Sequence, residues 1–205
     1  MSGYHLNELK VALDPTNPKH ILPPKMPESA QILDIGCGAG QCLIATYNDR
    51  LCFGLDVDLE ALKLGRSLTD QVCFINGSAE ALPFDDGCFD LVFARVSLPY
   101  TNIPVSIKEI RRVLKRGGLF WTTLHPFSVA WEQVKKSNLK GKVYFAYILL
   151  NSGLLHCFQR ETRFLGRRYE TFQTQNSIRR ILERNGFEAI SIQKGNHFLV
   201  SARAK

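Results

Sequence analysis

The stretch Leu33-Asp34-Ile35-Gly36-Cys37-Gly38-Ala39-Gly40 places a carboxylate two residues ahead of three glycines at alternate positions. Glycine removes the Cβ atom wherever a ligand has to approach the main chain. A helix that opens just after such a turn presents its N–H groups and the positive end of its dipole. Together these features suit a nucleotide-like group. The spacing is not the dinucleotide pattern G-x-G-x-x-G, because Gln41 stands where the third glycine would fall. Asp34 would repel a pyrophosphate and suits a cationic ligand. Both points argue against a nicotinamide oxidoreductase.

A second acid follows at the right remove. Leu51-Cys52-Phe53-Gly54-Leu55-Asp56 reads as a strand that ends in Asp56, sixteen residues after Gly40. A carboxylate at that point can accept hydrogen bonds from both hydroxyls of a ribose. Val57 follows it in the candidate binding set, and Asp58 is either a near alternative or the cap of the next helix. In Gly77-Ser78-Ala79-Glu80-Ala81-Leu82-Pro83-Phe84, the Ser78 hydroxyl could reach a purine amino group and the Ala79 N–H a ring nitrogen. Glu80 either contacts the ligand, caps a helix or is solvated, and Leu82 and Phe84 are candidate apolar walls, one of which is expected only to pack. Arg95, closing the fourth strand, completes the set.

These residues need a scaffold that sets them at one end of a sheet. Short apolar runs at Ile32–Ile35, Leu51–Asp56, Val72–Ile75, Phe89–Ala94 and Leu119–Leu124 alternate with helical patterns at about 41–47, 59–68 and 104–115. That alternation predicts a parallel sheet covered on both faces. Gly117-Gly118 is expected to supply the left-handed C-cap of the third helix. A last helix over 174–185 leads to strands at 187–193 and 198–202, an antiparallel hairpin at the sheet edge. Residues 1–29 read as a leader with one helical turn, laid over a ligand or on the surface. Residues 126–171 break the rhythm and are rich in aromatics, an insertion of mixed strand and helix within a single domain spanning 1–205.

The chain has 205 residues and a formal net charge of +7. A basic balance is compatible with an anionic partner, but the Arg and Lys pairs sit in helical or turn patterns, where a solvated face is the preferred reading. The six cysteines make no C-x-x-C pair. They read as reduced, buried thiols of a cytoplasmic protein without a metal site. Residues 1–10 carry no secretory pattern, and the apolar run from Val143 to Leu150 is too short to span a bilayer.

From Ile32 to His125, and more weakly from Thr174 to Ala202, the chain resembles class I S-adenosylmethionine-dependent methyltransferases. It is most similar to the small-molecule group related to the ubiquinone and menaquinone biosynthesis C-methyltransferases. The resemblance implies a Rossmann-like α/β fold, with a seven-stranded, mostly parallel sheet, an antiparallel edge hairpin and helices on both faces. It implies S-adenosyl-L-methionine as cofactor, held by Asp34, Gly36, Cys37, Gly38, Gly40, Asp56, Val57, Ser78, Ala79, Glu80 and Arg95. Ser78 stands where the family usually has an acid. Leu98-Pro99-Tyr100 lies where the family often has a leucine and paired histidines, so Tyr100 is a substrate-facing candidate. Glu109 to Gly118 resembles the family's helix and turn before the fifth strand, an architectural marker.

Methyl transfer needs an acceptor held in line with the methyl carbon, and placement alone can supply roughly 7–11 kcal/mol. A base is needed only for an acceptor that starts protonated. His125, at the C-terminal end of the fifth strand, and Tyr100 are the catalytic candidates, His125 being alternatively a turn residue before Pro126. Tyr100, His125, Trp131 and Tyr144 are the substrate-binding candidates. The expected acceptor is a small aromatic or apolar molecule. An RNA or protein acceptor and a non-catalytic S-adenosylmethionine-binding module are the competing readings. Monomer and homodimer both remain open.

Overall fold

The computed structural model describes residues 2–124, 139–163, 169–195 and 198–205. Its centre is β1, Ile32–Ile35, whose four side chains are all buried. Parallel neighbours flank it. On one side lie β2, Cys52–Asp56, and β3, Val72–Asn76; on the other lies β4, Phe89–Arg95, followed by β5, Leu114–Leu124. The strands β6, Phe187–Gln193, and β7, Phe198–Ala204, complete a seven-stranded sheet of order β3-β2-β1-β4-β5-β7-β6. β7 pairs antiparallel with both β5 and β6. The order reverses between β1 and β4, which leaves a crevice beyond their C-terminal ends.

Two apolar cores lie on the two faces. One takes Cys42, Leu43 and Tyr47 from α2, Gln41–Tyr47, with Leu62 from α3, Leu59–Leu68. The same core packs Ile21, Leu22 and Met26 of the N-terminal segment. The other takes Ile103, Ile107, Ile110 and Val113 from α4, Ile103–Val113, with Leu155 from α5, Leu139–Phe158. It also takes Ile178, Ile181 and Leu182 from α6, Gln175–Arg184. Side-chain caps start three of these helices. Asp58 accepts the Glu60 and Ala61 N–H groups, Asn102 that of Val105, and Thr174 that of Ser177. Asp58 is therefore the cap its sequence context allowed.

Four expectations change. The leader holds a full helix, α1, Ser2–Leu13, packed against α2 and α3. Its inward positions 5, 8, 9 and 12 recur at helical spacing but carry His5 and Glu8, so no apolar stripe announces it. Gly117-Gly118 is not the cap of α4: the helix ends at Val113 and runs straight into β5. The carbonyls of Arg112 and Val113 accept the Gly87 and Cys88 N–H groups instead. Gly117, at φ 76°, lies in the irregularity where the β4–β5 register jumps from Phe89↔Leu114 to Leu91↔Leu119. Among the described residues, the insertion over 126–171 contributes the single 20-residue helix α5 and no strand. Of the cysteines, only Cys37, Cys42 and Cys52 are buried, while Cys73 and Cys157 are exposed. No helix of the described residues is long and apolar enough to cross a membrane.

Gly65 shows how tightly α3 sits on the sheet, since a Cβ there would lie under 3.0 Å from the Phe74 ring. A helical glycine replaced by alanine ordinarily gains about 1 kcal/mol in propensity. Overpacking a buried ring costs about 1–3 kcal/mol. Gly65→Ala is therefore expected to lower stability in urea denaturation; a gain in midpoint would show that Phe74 moves aside freely.

Candidate functional site

The turn after β1 folds back over the end of β2. Gly36, Gly38 and Gly40 take φ values of 73°, 57° and 79°, a region that side chains rarely enter. That shape turns the Gly36 and Cys37 N–H groups onto the Leu55 carbonyl at 2.7 and 3.1 Å. It also sends the Gly38 N–H to Asp56 Oδ2 at 2.7 Å, while Asp56 Oδ1 accepts the Asp58 N–H at 2.9 Å. A carboxylate offers about four acceptor positions. Two are used here, and the side chain still borders the cavity.

That cavity has a volume of about 800 Å³ and opens beyond the C-terminal ends of β1 and β4. Of the candidates from the sequence, Gly36, Gly38, Asp56, Arg95 and Tyr100 line it, and Asp34 does not. Opposite them stand Tyr4, His5 and Glu8 of α1, none of which the sequence reading singled out. The Glu8 carboxylate pairs with Arg95 at 3.0 Å, both side chains being mostly buried. Arg95 also donates to the Lys19 carbonyl at 3.3 Å, and Gln41 Nε2 lies 3.0 Å from His5 Nδ1. The N-terminal segment is thus fastened across the glycine turn by polar groups. The only sequence signal for it is the helical spacing of positions 5, 8, 9 and 12.

Val96, which also lines the cavity, holds φ at 62°. A β-branched residue pays for that conformation, and strain of this kind gathers at functional sites. Its N–H is held by Thr123 Oγ1 at 3.0 Å.

Asp34 lies beneath the turn at 2% exposure, and its Oδ1 has no hydrogen-bond partner. Burial, and then the neighbouring Asp56 carboxylate, push its acid well above the usual carboxylate range, against the pull of Arg95. A nearby ligand cation would relieve that stress.

The remaining candidates are distributed otherwise. What a Cβ at each glycine would strike is protein: Ser97 at Gly36, His5 and Gln41 at Gly38, and the Phe74 ring at Gly40. Gly40 does not border the cavity, and its glycine answers to Phe74 rather than to a ligand. Cys37 turns its sulfur toward Gly54, so only its main chain belongs to the turn. Val57, Ser78, Ala79 and Glu80 are outside the cavity lining. Ser78 Oγ accepts the Glu80 N–H at 3.2 Å, Ala79 is buried in the core, and Glu80 accepts the Asn102 N–H at 2.9 Å. Glu80 thus meets the backbone at the start of α4, the capping alternative. The 77–84 loop is clamped from α4: Glu109 accepts the Leu82 N–H, and Arg112 donates to the Leu82 and Phe84 carbonyls. Tyr144 is not brought to the cavity; its hydroxyl donates to Glu170. His125 and Trp131 lie outside the described residues.

Comparison with known proteins bears on the fold. Residues 33–122 match the family model described as a methyltransferase domain. The chain has the class I fold of S-adenosylmethionine-dependent methyltransferases. An uncharacterized protein of Methanocaldococcus jannaschii is 31% identical over 60% of this chain and 47% of its own length. Demethylmenaquinone methyltransferase of Staphylococcus haemolyticus is 28% identical over 80% of this chain and 71% of its own. A solved S-adenosylmethionine dependent methyltransferase from Mesorhizobium loti superposes with a TM-score of 0.62 at 19% identity, covering 87% of this chain and 93% of that one. The chain spans less than half the length of the first curated relatives it matches.

Two outcomes follow. The pKa of Asp34 is raised in the folded chain, so the folded state binds the proton more tightly than the unfolded one. Stability from this group is full below the unfolded value and is lost as pH rises through the folded one. Asp34→Asn should therefore melt higher than wild type at pH 8, with the difference shrinking toward pH 4; parallel melting-temperature profiles would contradict this. Arg95→Met removes the pair with Glu8 and should speed hydrogen exchange across residues 2–13 at least several-fold, with β1 unchanged. Unaltered exchange in α1 would show that the pair does not hold it.

Proposed function

We propose that this chain binds S-adenosyl-L-methionine and transfers its methyl group to a small aromatic or apolar acceptor. The observation that carries the reading is the buried Asp34, one oxygen of which has no hydrogen-bond partner, beneath a left-handed glycine turn whose Gly36 and Gly38 line the cavity. When bound, the cofactor supplies a methyl carbon activated by a sulfonium leaving group.

The chain's own groups are suited to hold it. The two unused acceptor positions of Asp56 suit the ribose hydroxyls. Main chain at Gly36 and Gly38 suits close approach of the amino acid portion. Asp34, once ionised, balances an ammonium group directly or through water. The 77–84 loop is fixed by Glu109 and Arg112, and Ser78 and Ala79 would meet the base only if the loop shifted from this arrangement, since neither lines the cavity. Tyr100 lines the same cavity and suits the acceptor side. His125 would be the proton acceptor where the attacking atom starts protonated, and the segment 126–171, with Trp131, would cover the acceptor, Tyr144 serving it from outside the cavity lining. For an acceptor that needs no base, orientation is the main source of rate. A Staphylococcus haemolyticus relative named for demethylmenaquinone, an aromatic apolar molecule, supports this acceptor class.

Calorimetric titration with S-adenosyl-L-methionine should show one site. Asp56→Ala should weaken it at least tenfold, about 1.4 kcal/mol. Unchanged affinity would remove Asp56 from the site. A screen with labelled donor against quinols, phenols, small acids, peptides and RNA should label a small aromatic compound. Label only in RNA or peptide would overturn the acceptor class, and cofactor binding without any transfer would favour a non-catalytic module.

A further inference from the structure

The helix α5 carries apolar side chains on its outer as well as its inner side. Its inner face buries Phe145, Ile148, Asn151, Ser152 and Leu155. Its outer face exposes Leu139, Val143, Leu149 and Leu150, with Phe158 at its end, the exposures running from 41% to 77%. Ala146 continues the same face. A helix that is apolar all round is ordinarily enclosed by something, and a large exposed apolar patch marks an interaction surface. The only charged side chains on the helix are Lys140 and Lys142, both exposed near its start, and it carries no acid. Arg160, also exposed, follows its end.

Those charges select the occupant. Two copies of the helix packed antiparallel about a two-fold axis would set Lys140 and Lys142 against Arg160 of the other copy. Packed parallel, they would set lysines against lysines. Either pairing brings like charges together around an apolar seam. An anionic lipid surface inverts this: acyl chains meet the apolar stripe and headgroups meet the basic ends. Net charge favours the same partner, at +7 for the chain. The 20-residue helix is about 30 Å long, enough to lie along a surface. It does not qualify as a span.

We infer that the outer face of α5 docks the protein on the surface of an anionic lipid bilayer. The inference is independent of cofactor binding and of methyl transfer. It is tested by co-sedimentation of the full chain with phosphatidylcholine vesicles, with and without phosphatidylglycerol. The chain is expected to pellet with the anionic vesicles and to be released by salt. Leu150→Glu, at a site 73% exposed and so harmless to the core, should reduce binding at least tenfold with an unchanged circular dichroism spectrum. Lys63→Glu on the distant α3, a larger change in charge, should reduce it far less. Failure to pellet with anionic vesicles would overturn the inference. So would equal losses in the two variants, which would make the attraction a matter of net charge. A concentration-dependent dimer abolished by Leu150→Glu, without vesicle binding, would assign the face to a second copy of the chain.

Discussion

A carboxylate held in the centre of the sheet, at 2% exposure and with one oxygen unmatched, is the constraint around which this end of the molecule is arranged. Leaving a buried polar atom without a partner costs about 1–3 kcal/mol, and more when the group is charged. The neighbouring Asp56 raises that cost rather than lowering it. Packing alone would favour an apolar residue at position 34. On the proposed function, that cost would be offset by a bound cation near Asp34. Perturbed acids beside a cavity are a recognised mark of functional sites.

The turn above Asp34 keeps its shape through a small set of bonds. Asp56 holds the Gly38 amide from below, and the Leu55 carbonyl holds those of Gly36 and Cys37. Arg95 then joins three parts of the molecule. It lowers the charge stress on Asp34, pairs with Glu8 and reaches the Lys19 carbonyl. Through it, the N-terminal helix is tied to the state of the cavity.

Much of the scaffold is legible in the sequence because continuous apolar strands and amphipathic helices leave period-dependent traces. The strand Phe89–Arg95 and helix α3 were readable on that basis, as was the edge pair β6–β7. The helix α1 was not, because its inward positions serve the cavity with His5 and Glu8 instead of the core. The helix α5 was not, because apolar residues on every side erase the periodicity. Gly117-Gly118 looked like a cap, yet the carbonyls of Arg112 and Val113 are satisfied from Gly87 and Cys88, distant in sequence. At the site, the glycine spacing gave the turn correctly. It could not reveal that Gly40 makes room for Phe74, or that Ser78 and Glu80 spend their oxygens on local backbone.

The central claim is that Asp34 gives up its proton to receive a cation. Titrating S-adenosyl-L-methionine into the protein in two buffers of different ionisation enthalpy, near neutral pH, measures the protons released on binding. The account predicts net release from wild type and markedly less from Asp34→Asn. Equal proton counts in the two proteins would contradict it.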